Sequence, residues 1–242
     1  MANLKRPGGE LASRPLHFFW VVDCSGSMYG EKIGAVNHAI QSTIPDMVDA
    51  ANDNPNAQLL IRTLKFSNGA SWVTANPVNI EDFTWEDLDA DGLTELGKAF
   101  EMLAAQLTIP PMSDRALPPV IVLLSDGQPT DDYKKALDKL LNLPWGKKAV
   151  RIAISIGQDA DDAVLTEFTG NRELVLQANN PQALVKMIKW ASTAASSVSA
   201  PASRVQADPF VGNTAPDSTN APLVLDMNNI PDPADIGADD VW

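Results

Sequence analysis

Two apolar segments of strand length, each ending abruptly at an aspartate, constrain the fold of this chain most. The first segment, LHFFWVV at 16–22, precedes Asp23, and the second, PPVIVLLS at 118–125, precedes Asp126. Apolar runs without polar alternation are typical of strands buried on both faces, as in a parallel sheet. Open sheets of this kind bind ligands beyond the carboxyl ends of their strands, where both aspartates would lie.

Strand-like and helical patterns alternate along most of the chain. Apolar residues recur at helical spacing between the strand-like segments. Asn68-Gly69, between strand-like segments at 58–66 and 70–75, predicts an antiparallel hairpin. The predicted fold is therefore α/β: a doubly wound, mostly parallel central sheet with one antiparallel edge strand and helices on both faces.

Two local details of the helices are also predicted. Pro45 falls inside the first helical pattern, and we expect it to interrupt or kink that helix because proline lacks the amide hydrogen that a helix needs. Thr130 or Asp131 precedes the helical pattern of 133–141, and either side chain could cap this helix.

Composition divides the chain into three parts. We predict an N-terminal extension at 1–13, one α/β domain at 14–197, and a flexible acidic tail rich in Pro and Asp at 198–242. Residues 201–242 contain seven Asp, six Pro and one Arg, and they offer few side chains for a core.

The charge balance favours proteins as partners. The chain carries 18 Lys and Arg against 31 Asp and Glu, a formal net charge of −13, which would repel nucleic acid and anionic membranes. Its one cysteine, Cys24, cannot form an internal disulfide. No membrane-length apolar run or secretion signal is evident, so a cytoplasmic location is predicted.

Three short motifs place oxygen ligands where the predicted strands end. Asp23, Ser25 and Ser27 lie in DCSGS, Thr94 in DGLT and Asp126 in SDG. Hydroxyls with one or two carboxylates suit Mg²⁺, which prefers oxygen ligands and retains several waters. These five residues are the predicted metal ligands, with Mg²⁺ expected and Mn²⁺ or Ca²⁺ as alternatives. An ion with an open position would attract a carboxylate from a partner protein.

The motifs DCSGS, GLT and SDGQPT, in this order, resemble those of the von Willebrand factor A (VWA) domain with its metal-ion-dependent adhesion site (MIDAS). The resemblance covers roughly residues 14–195 and implies a Rossmann-like VWA fold without enzymatic activity. The longer phrases GLTELGKAF and SDGQPTDD resemble more specifically the bacterial TerY-like branch, associated with tellurium resistance. This branch implies a signalling adaptor that works with a Ser/Thr kinase and a PP2C-type phosphatase.

An enzymatic alternative is a metal-assisted phosphatase or hydrolase, since aspartates at strand ends also occur in phosphoryl-transfer sites. No DxDx pair follows the first strand, no phosphate-binding Gly-rich loop is present, and no general base is evident beside Ser25. His17 falls inside the first strand, and His38 falls on the first helix. A generic phosphatase assay with Mg²⁺ would separate the two functions.

Other residues leave further alternatives open. A tail carboxylate could fill the open metal position, and the tail also offers hydroxyls for phosphorylation. An acidic stretch at 81–91 is interpreted as a solvated loop, with a second cation site as the alternative. Trp72 and Trp85 could be core residues or interface anchors. The tail candidates are Asp217, Asp226 and Asp240 for the metal, and Thr214, Ser218 and Thr219 for phosphorylation.

Overall fold

The computed structural model of the chain describes residues 13–54, 56–126, 128–158, 160–199 and 230–231. Within these residues the strands are β1 (Arg14–Asp23), β2 (Ala57–Ser67), β3 (Gly69–Trp72), β4 (Val78–Asn79), β5 (Val120–Ser125), β6 (Val150–Ile156) and β7 (Val175–Ala178). The helices are α1 (Glu31–Asn52), α2 (Leu96–Gln106), α3 (Tyr133–Asn142), α4 (Pro144–Lys148), α5 (Asp162–Thr169) and α6 (Pro181–Ser199).

The strands form one mostly parallel sheet in the order β3-β2-β1-β5-β6-β7. Strands β3 and β4 both pair antiparallel with the outer edge of β2. The predicted α/β class is confirmed, and the antiparallel edge contains the two-residue β4 besides the predicted hairpin strand. In the sheet, β2 lies on one side of β1 and β5 lies on the other, so the direction of strand order changes at β1. Strands β1 and β5 therefore flank the switch point where such sheets bind ligands.

Helices cover both faces of the sheet, because the central strands are apolar on both sides. In β1, Phe18 and Trp20 belong to the core that α1 and α6 cover, and Phe19 and Val21 belong to the core under α2, α3 and α5. All four side chains are at most 1% exposed. The continuous apolar run is therefore a strand buried on both faces, as the sequence predicted. In the described part of the chain, no helix is long and apolar enough to cross a membrane.

Three local features differ from the sequence-based expectations. Helix α1 continues through Pro45 to Asn52, so the expected interruption is wrong. Asp132, not Thr130 or Asp131, occupies the cap position of α3, without a side-chain hydrogen bond. The short helix α4 was not expected; it begins at a proline, which suits the first turn of a helix.

Most of the predicted tail lies outside the described residues, as do its candidates Asp217, Asp226, Asp240, Thr214, Ser218 and Thr219. Ile230 is described, and it packs against the core on the α1 and α6 side. Ile230 and Pro231 line a small cavity together with Leu176 of β7 and Met187 of α6. The boundaries of the extension, domain and tail stay predictions.

Candidate functional site

Asp23, the last residue of β1, and Asp126, the residue after β5, are close enough to interact electrostatically. Strands β1 and β5 pair in register up to Val22 and Leu124, so Asp23 lies next to Ser125. The Ser125 hydroxyl donates a hydrogen bond to Asp23 Oδ2 at 2.6 Å. Asp23 and Asp126 are 0% and 2% exposed. Two carboxylates are therefore buried at the carboxyl edge of the sheet.

The DCSGS loop turns back on Asp23 immediately after β1. The Ser25 amide donates to Asp23 Oδ1 at 2.9 Å, which fixes the second oxygen of this carboxylate. The hydroxyls of Ser25 and Ser27 lie 3.0 Å apart. Ser25 is buried and Ser27 is exposed, so this pair of hydroxyls runs from the carboxylate toward solvent.

Backbone hydrogen bonds hold the loop that contains Thr94 against the DCSGS loop. The Gly26 amide donates to the Gly92 carbonyl at 2.9 Å, and the Asp91 amide donates to the Cys24 carbonyl at 2.8 Å. A Cβ atom on Gly26 would lie 3.3 Å from the Gly92 oxygen, so a glycine suits this close approach. The two loops therefore form one paired structure, with Thr94 buried at its inner end.

A second set of contacts joins Thr94 to the segment after Asp126. The Thr130 amide donates to the Thr94 carbonyl at 2.8 Å, and the Thr94 amide donates to Thr130 Oγ1 at 3.2 Å. Asp131 Oδ1 accepts a hydrogen bond from the Gly97 amide at 3.0 Å, in the first turn of α2. Thr130 and Asp131, which were expected to cap α3, instead hold the Thr94 loop against the loop of Asp126.

Burial gives Asp23 an unusual electrostatic state. The pKa of its carboxyl is raised from 3.8 to about 6, chiefly by desolvation and to a smaller extent by the nearby Asp126, while hydrogen bonds from Ser125 and Ser25 oppose the shift. At neutral pH the site therefore holds a carboxylate that burial destabilises. A positive charge placed between Asp23 and Asp126 would relieve this cost.

One carboxylate oxygen of the site has no hydrogen-bond partner among the described residues. This atom is Asp126 Oδ1, which is buried. Lys32, in the first turn of α1, places its Nζ 4.0 Å from Asp126 Oδ2. A lysine at a helix N-terminus opposes the helix dipole, which favours anions there. The buried carboxylate of Asp126 gives this lysine a favourable partner in spite of the dipole.

The residues present fit a hard divalent cation. Among the described residues, no group of three or more His, Cys, Asp or Glu side chains is arranged to hold a metal, so a metal here would depend on hydroxyl oxygens besides two carboxylates. This donor chemistry is that of Mg²⁺, and the unpartnered Asp126 Oδ1 is the kind of atom that a cation would satisfy. The assignment of all five ligands stays a prediction.

Sequence reasoning missed the residues that support the site. Ser125 and Thr130 lie inside the SDGQPT motif, but Ser125 had no assigned role and Thr130 was expected only to cap a helix. Asn68 was interpreted as a turn residue, and its Oδ1 also accepts a hydrogen bond from the Leu93 amide at 3.0 Å. Lys32 could have been noticed in the sequence, since it is a cation in the first turn of a helix, where the helix dipole disfavours positive charge.

The other candidates have structural partners. Trp72 stacks on the Arg62 guanidinium at 3.8 Å, and Trp85 donates to Asn37 Oδ1 at 3.2 Å. Both tryptophans are partly buried. His17 is buried in β1, where desolvation lowers the pKa of its imidazole. Burial raises the pKa of the Cys24 thiol to about 12, so this cysteine stays a thiol at neutral pH.

The fold and these loops define an open α/β domain with a polar, carboxylate-containing site at the switch point of its sheet. The chain belongs to the von Willebrand factor type A domain family, whose sequence model matches residues 19–190. No curated protein matched the sequence. The family membership agrees with the resemblance of the three motifs.

Several solved structures share the fold at low sequence identity. VWA2, an ArnB paralog from Sulfolobus acidocaldarius, is 21% identical with a TM-score of 0.54, and the match covers 72% of this chain and 44% of that one. A von Willebrand factor type A protein from Catenulispora acidiphila is 17% identical with a TM-score of 0.56, covering 76% and 43%. Proximal thread matrix protein 1 from the mussel byssus, with a zinc-occupied MIDAS motif, is 15% identical with a TM-score of 0.55, covering 78% and 49%. The chain spans less than half the length of each.

Proposed function

We propose that this chain is a non-enzymatic module that binds a protein partner through a divalent metal held by Asp23, Ser25, Ser27, Thr94 and Asp126. The observation that carries the proposal is the buried Asp126 Oδ1, which has no hydrogen-bond partner in the described part of the chain and belongs to a carboxylate near a second buried one. Buried charge without a partner costs free energy that a bound cation would recover. Mg²⁺ is the expected ion, with Mn²⁺ or Ca²⁺ as alternatives.

The residues of the chain would have different roles in such a site. Ser25, Ser27 and Thr94 would offer hydroxyl oxygens directly, and the carboxylates of Asp23 and Asp126 would bind directly or through water. Hydrogen bonds from Ser125 and the Ser25 amide hold the Asp23 carboxylate in one orientation before any ligand arrives. When bound, the ion would supply an open coordination position to an acidic side chain of the partner. The zinc-occupied MIDAS of the mussel protein supports a divalent ion in this fold.

In its finer form, the proposal is a cytoplasmic adaptor of the TerY-like branch, acting with a Ser/Thr kinase and a PP2C-type phosphatase in tellurium-resistance or stress signalling. The phrases GLTELGKAF and SDGQPTDD support this choice. The test is co-expression of the tagged chain with a kinase and a phosphatase encoded beside its gene. Co-purification that requires Mg²⁺ and is lost with EDTA would support the adaptor, and co-purification that survives EDTA would contradict the metal contact.

Replacing Thr94 with Val should weaken Mg²⁺ binding by at least about tenfold, because the change removes a ligand hydroxyl and keeps the side-chain shape; tenfold corresponds to about 1.4 kcal/mol. Calorimetric titration of the metal-free protein measures the affinity. Thr43→Val is the matched control, since Thr43 is also buried but its hydroxyl donates to the Ala39 carbonyl within α1. Equal Mg²⁺ affinity in both variants would remove Thr94 from the ligand set.

Replacing Lys32 with Met should strengthen Mg²⁺ binding several-fold. The Lys32 ammonium lies 4.0 Å from Asp126 Oδ2 and would repel a divalent ion there, by an amount on the order of 1 kcal/mol after solvent screening. Lys189→Met is the control, because Lys189 pairs with Asp46, far along α1 from its first turn. Titrations at low and high salt should show the Lys32 effect shrinking with salt. Weaker binding in the Lys32 variant would mean that lysine assists the site.

A further inference from the structure

Large apolar side chains that are exposed concentrate around the candidate metal site. In the described part of the chain, the exposed large apolar residues are Tyr29, Leu93 and Ile109, at 78%, 53% and 62% exposure. Tyr29 lies two residues after Ser27, and Leu93 directly precedes Thr94. Their loops are joined by the hydrogen bond from Gly26 to Gly92. Two of the three therefore flank one site, and we call Tyr29 and Leu93 the apolar rim.

The backbone holds the apolar rim in place. The Leu93 amide donates to Asn68 Oδ1, and the Tyr29 amide donates to the Gly26 carbonyl at 3.2 Å. Gly30 follows Tyr29 with a φ of +84°, a conformation that favours glycine, and so turns the chain into α1. These side chains are exposed on an ordered surface, and exposed apolar groups around a polar centre are typical of protein interfaces.

A row of carboxylates leads up to the rim on one side. Asp87, Asp89 and Asp91 are exposed and alternate with the buried Leu88 and Ala90. Because the two intervening side chains are buried, the three carboxylates lie on the solvent side of this segment. We call these three residues the acidic row.

The acidic row is fixed to the domain. The Asn37 side chain of α1 donates to the Leu88 carbonyl and accepts from the Leu88 amide, both at 2.9 Å. This pair of hydrogen bonds anchors the middle of the row, with Leu88 in the core. The negative charge therefore has a defined position next to Gly92 and the rim.

We propose that the apolar rim and the acidic row form one docking surface around the metal, for a protein segment with three features. The segment carries an acidic side chain for the metal, a large apolar side chain beside it for Tyr29 and Leu93, and a Lys or Arg facing the acidic row. This inference rests on the proposed function, because the acidic side chain needs the metal. It adds the chemistry of the neighbouring positions, and charge complementarity sets the orientation of the segment.

The test is selection of random peptides displayed on phage against the full-length chain in Mg²⁺, with bound phage eluted by EDTA. We expect enrichment of Asp or Glu together with Leu, Phe, Tyr or Trp nearby, and with Lys or Arg on one side. A selected peptide should bind Tyr29→Ser or Leu93→Ser about tenfold more weakly, equivalent to about 1.4 kcal/mol. Ile109→Ser is the matched control, since Ile109 follows the far end of α2 and should leave binding unchanged.

The outcomes separate this inference from the proposed function. Changing Asp87, Asp89 and Asp91 together to Asn should remove the enrichment of Lys and Arg while the acidic residue is still selected. Acidic peptides without apolar or basic neighbours would overturn the docking surface and leave the metal contact standing. A wild-type chain that yields no EDTA-eluted peptides, although calorimetry shows Mg²⁺ bound, would contradict the proposed function itself. Unchanged Mg²⁺ affinity in the rim variants confirms that only the surface was altered.

Discussion

Asp23→Asn should make the metal-free protein more stable at pH 7.5 and should abolish its stabilisation by Mg²⁺. The Asp23 carboxyl is fully buried, and its pKa is raised from 3.8 to about 6, a shift that corresponds to about 3 kcal/mol of destabilisation when the group is ionised. Asparagine removes the charge and keeps an oxygen for the Ser25 amide. The amide of asparagine would replace the carboxylate oxygen that accepts the Ser125 hydrogen bond, and this exchange costs some stability. We therefore expect a net gain of about 2 kcal/mol in the free energy of unfolding.

The pH dependence of this difference has a definite sign. Between about pH 4 and 6, native Asp23 retains a proton that the unfolded chain has already released. The stability of the wild type therefore falls relative to the variant as the pH rises through this window. Above about pH 6 the difference should be constant, and below the ordinary pKa the variant should be the less stable protein by about 1 kcal/mol, because only the cost of its amide group remains.

Urea unfolding in EDTA and in Mg²⁺ measures both effects. At an Mg²⁺ concentration 100 times the Kd, the wild type should gain about 2.7 kcal/mol, and the variant should gain nothing. The order of stability of the two proteins should therefore reverse when the metal is added. A variant that is less stable than the wild type in EDTA at every pH would show that the burial of Asp23 is compensated within the protein.

Gly97→Ala should destabilise the protein and also weaken Mg²⁺ binding, although Gly97 is no ligand. A Cβ atom at this position would lie 2.7 Å from Asp131 Oδ2, 3.1 Å from Tyr133 Cα and 3.2 Å from the Asp132 carbonyl oxygen. Two of these are backbone atoms, so the starts of α2 and α3 must separate. We expect a loss of about 1–3 kcal/mol in the free energy of unfolding, as for other overpacked sites.

The effect should reach the metal through Thr94. Separation of α2 from α3 would strain the two hydrogen bonds between Thr94 and Thr130, which hold the loop of one proposed ligand, Thr94, against the loop of another, Asp126. We expect the Mg²⁺ affinity to fall by about tenfold, or about 1.4 kcal/mol. A variant with normal Mg²⁺ affinity despite lower stability would show that the α2 and α3 contact does not position Thr94.

Gly34→Ala is the control for this substitution. Gly34 lies inside α1, and a Cβ atom there would meet nothing within 4 Å. Alanine should therefore stabilise the helix by about 0.5–1 kcal/mol, because it has less backbone freedom to lose on folding. Its Mg²⁺ affinity should match that of the wild type, measured by the same calorimetric titration.

The sheet and the position of the site followed from local patterns. The run from Leu16 to Val22 does not alternate between apolar and polar residues. This pattern is typical of a strand covered on both faces, and β1 is such a strand. Its abrupt end at Asp23 located the carboxyl edge. Asn68-Gly69 marked the antiparallel hairpin because the turn favours residues that tolerate positive φ, and Gly69 has a φ of +87°.

The supporting contacts could not be read from local patterns, because they depend on tertiary partners. Thr130 and Asp131 look like helix caps in sequence, yet their hydrogen bonds go to Thr94 and Gly97, more than 30 positions earlier. Pro45 was expected to interrupt or kink its helix, but α1 packs against the core along its length and continues through this residue. Helix α4 has five residues, too few to show a helical period.

The pairing of β1 with β5 also decides when the site can exist. Ser125 reaches Asp23 across 102 positions of sequence, so neither carboxylate has its final neighbours until the two halves of the chain have joined. A metal that needs both halves would find no site on a nascent or truncated chain. Partner binding would thereby be restricted to molecules that have completed the sheet. The ion would bind after folding, so it would slow unfolding of the native state without raising the folding rate.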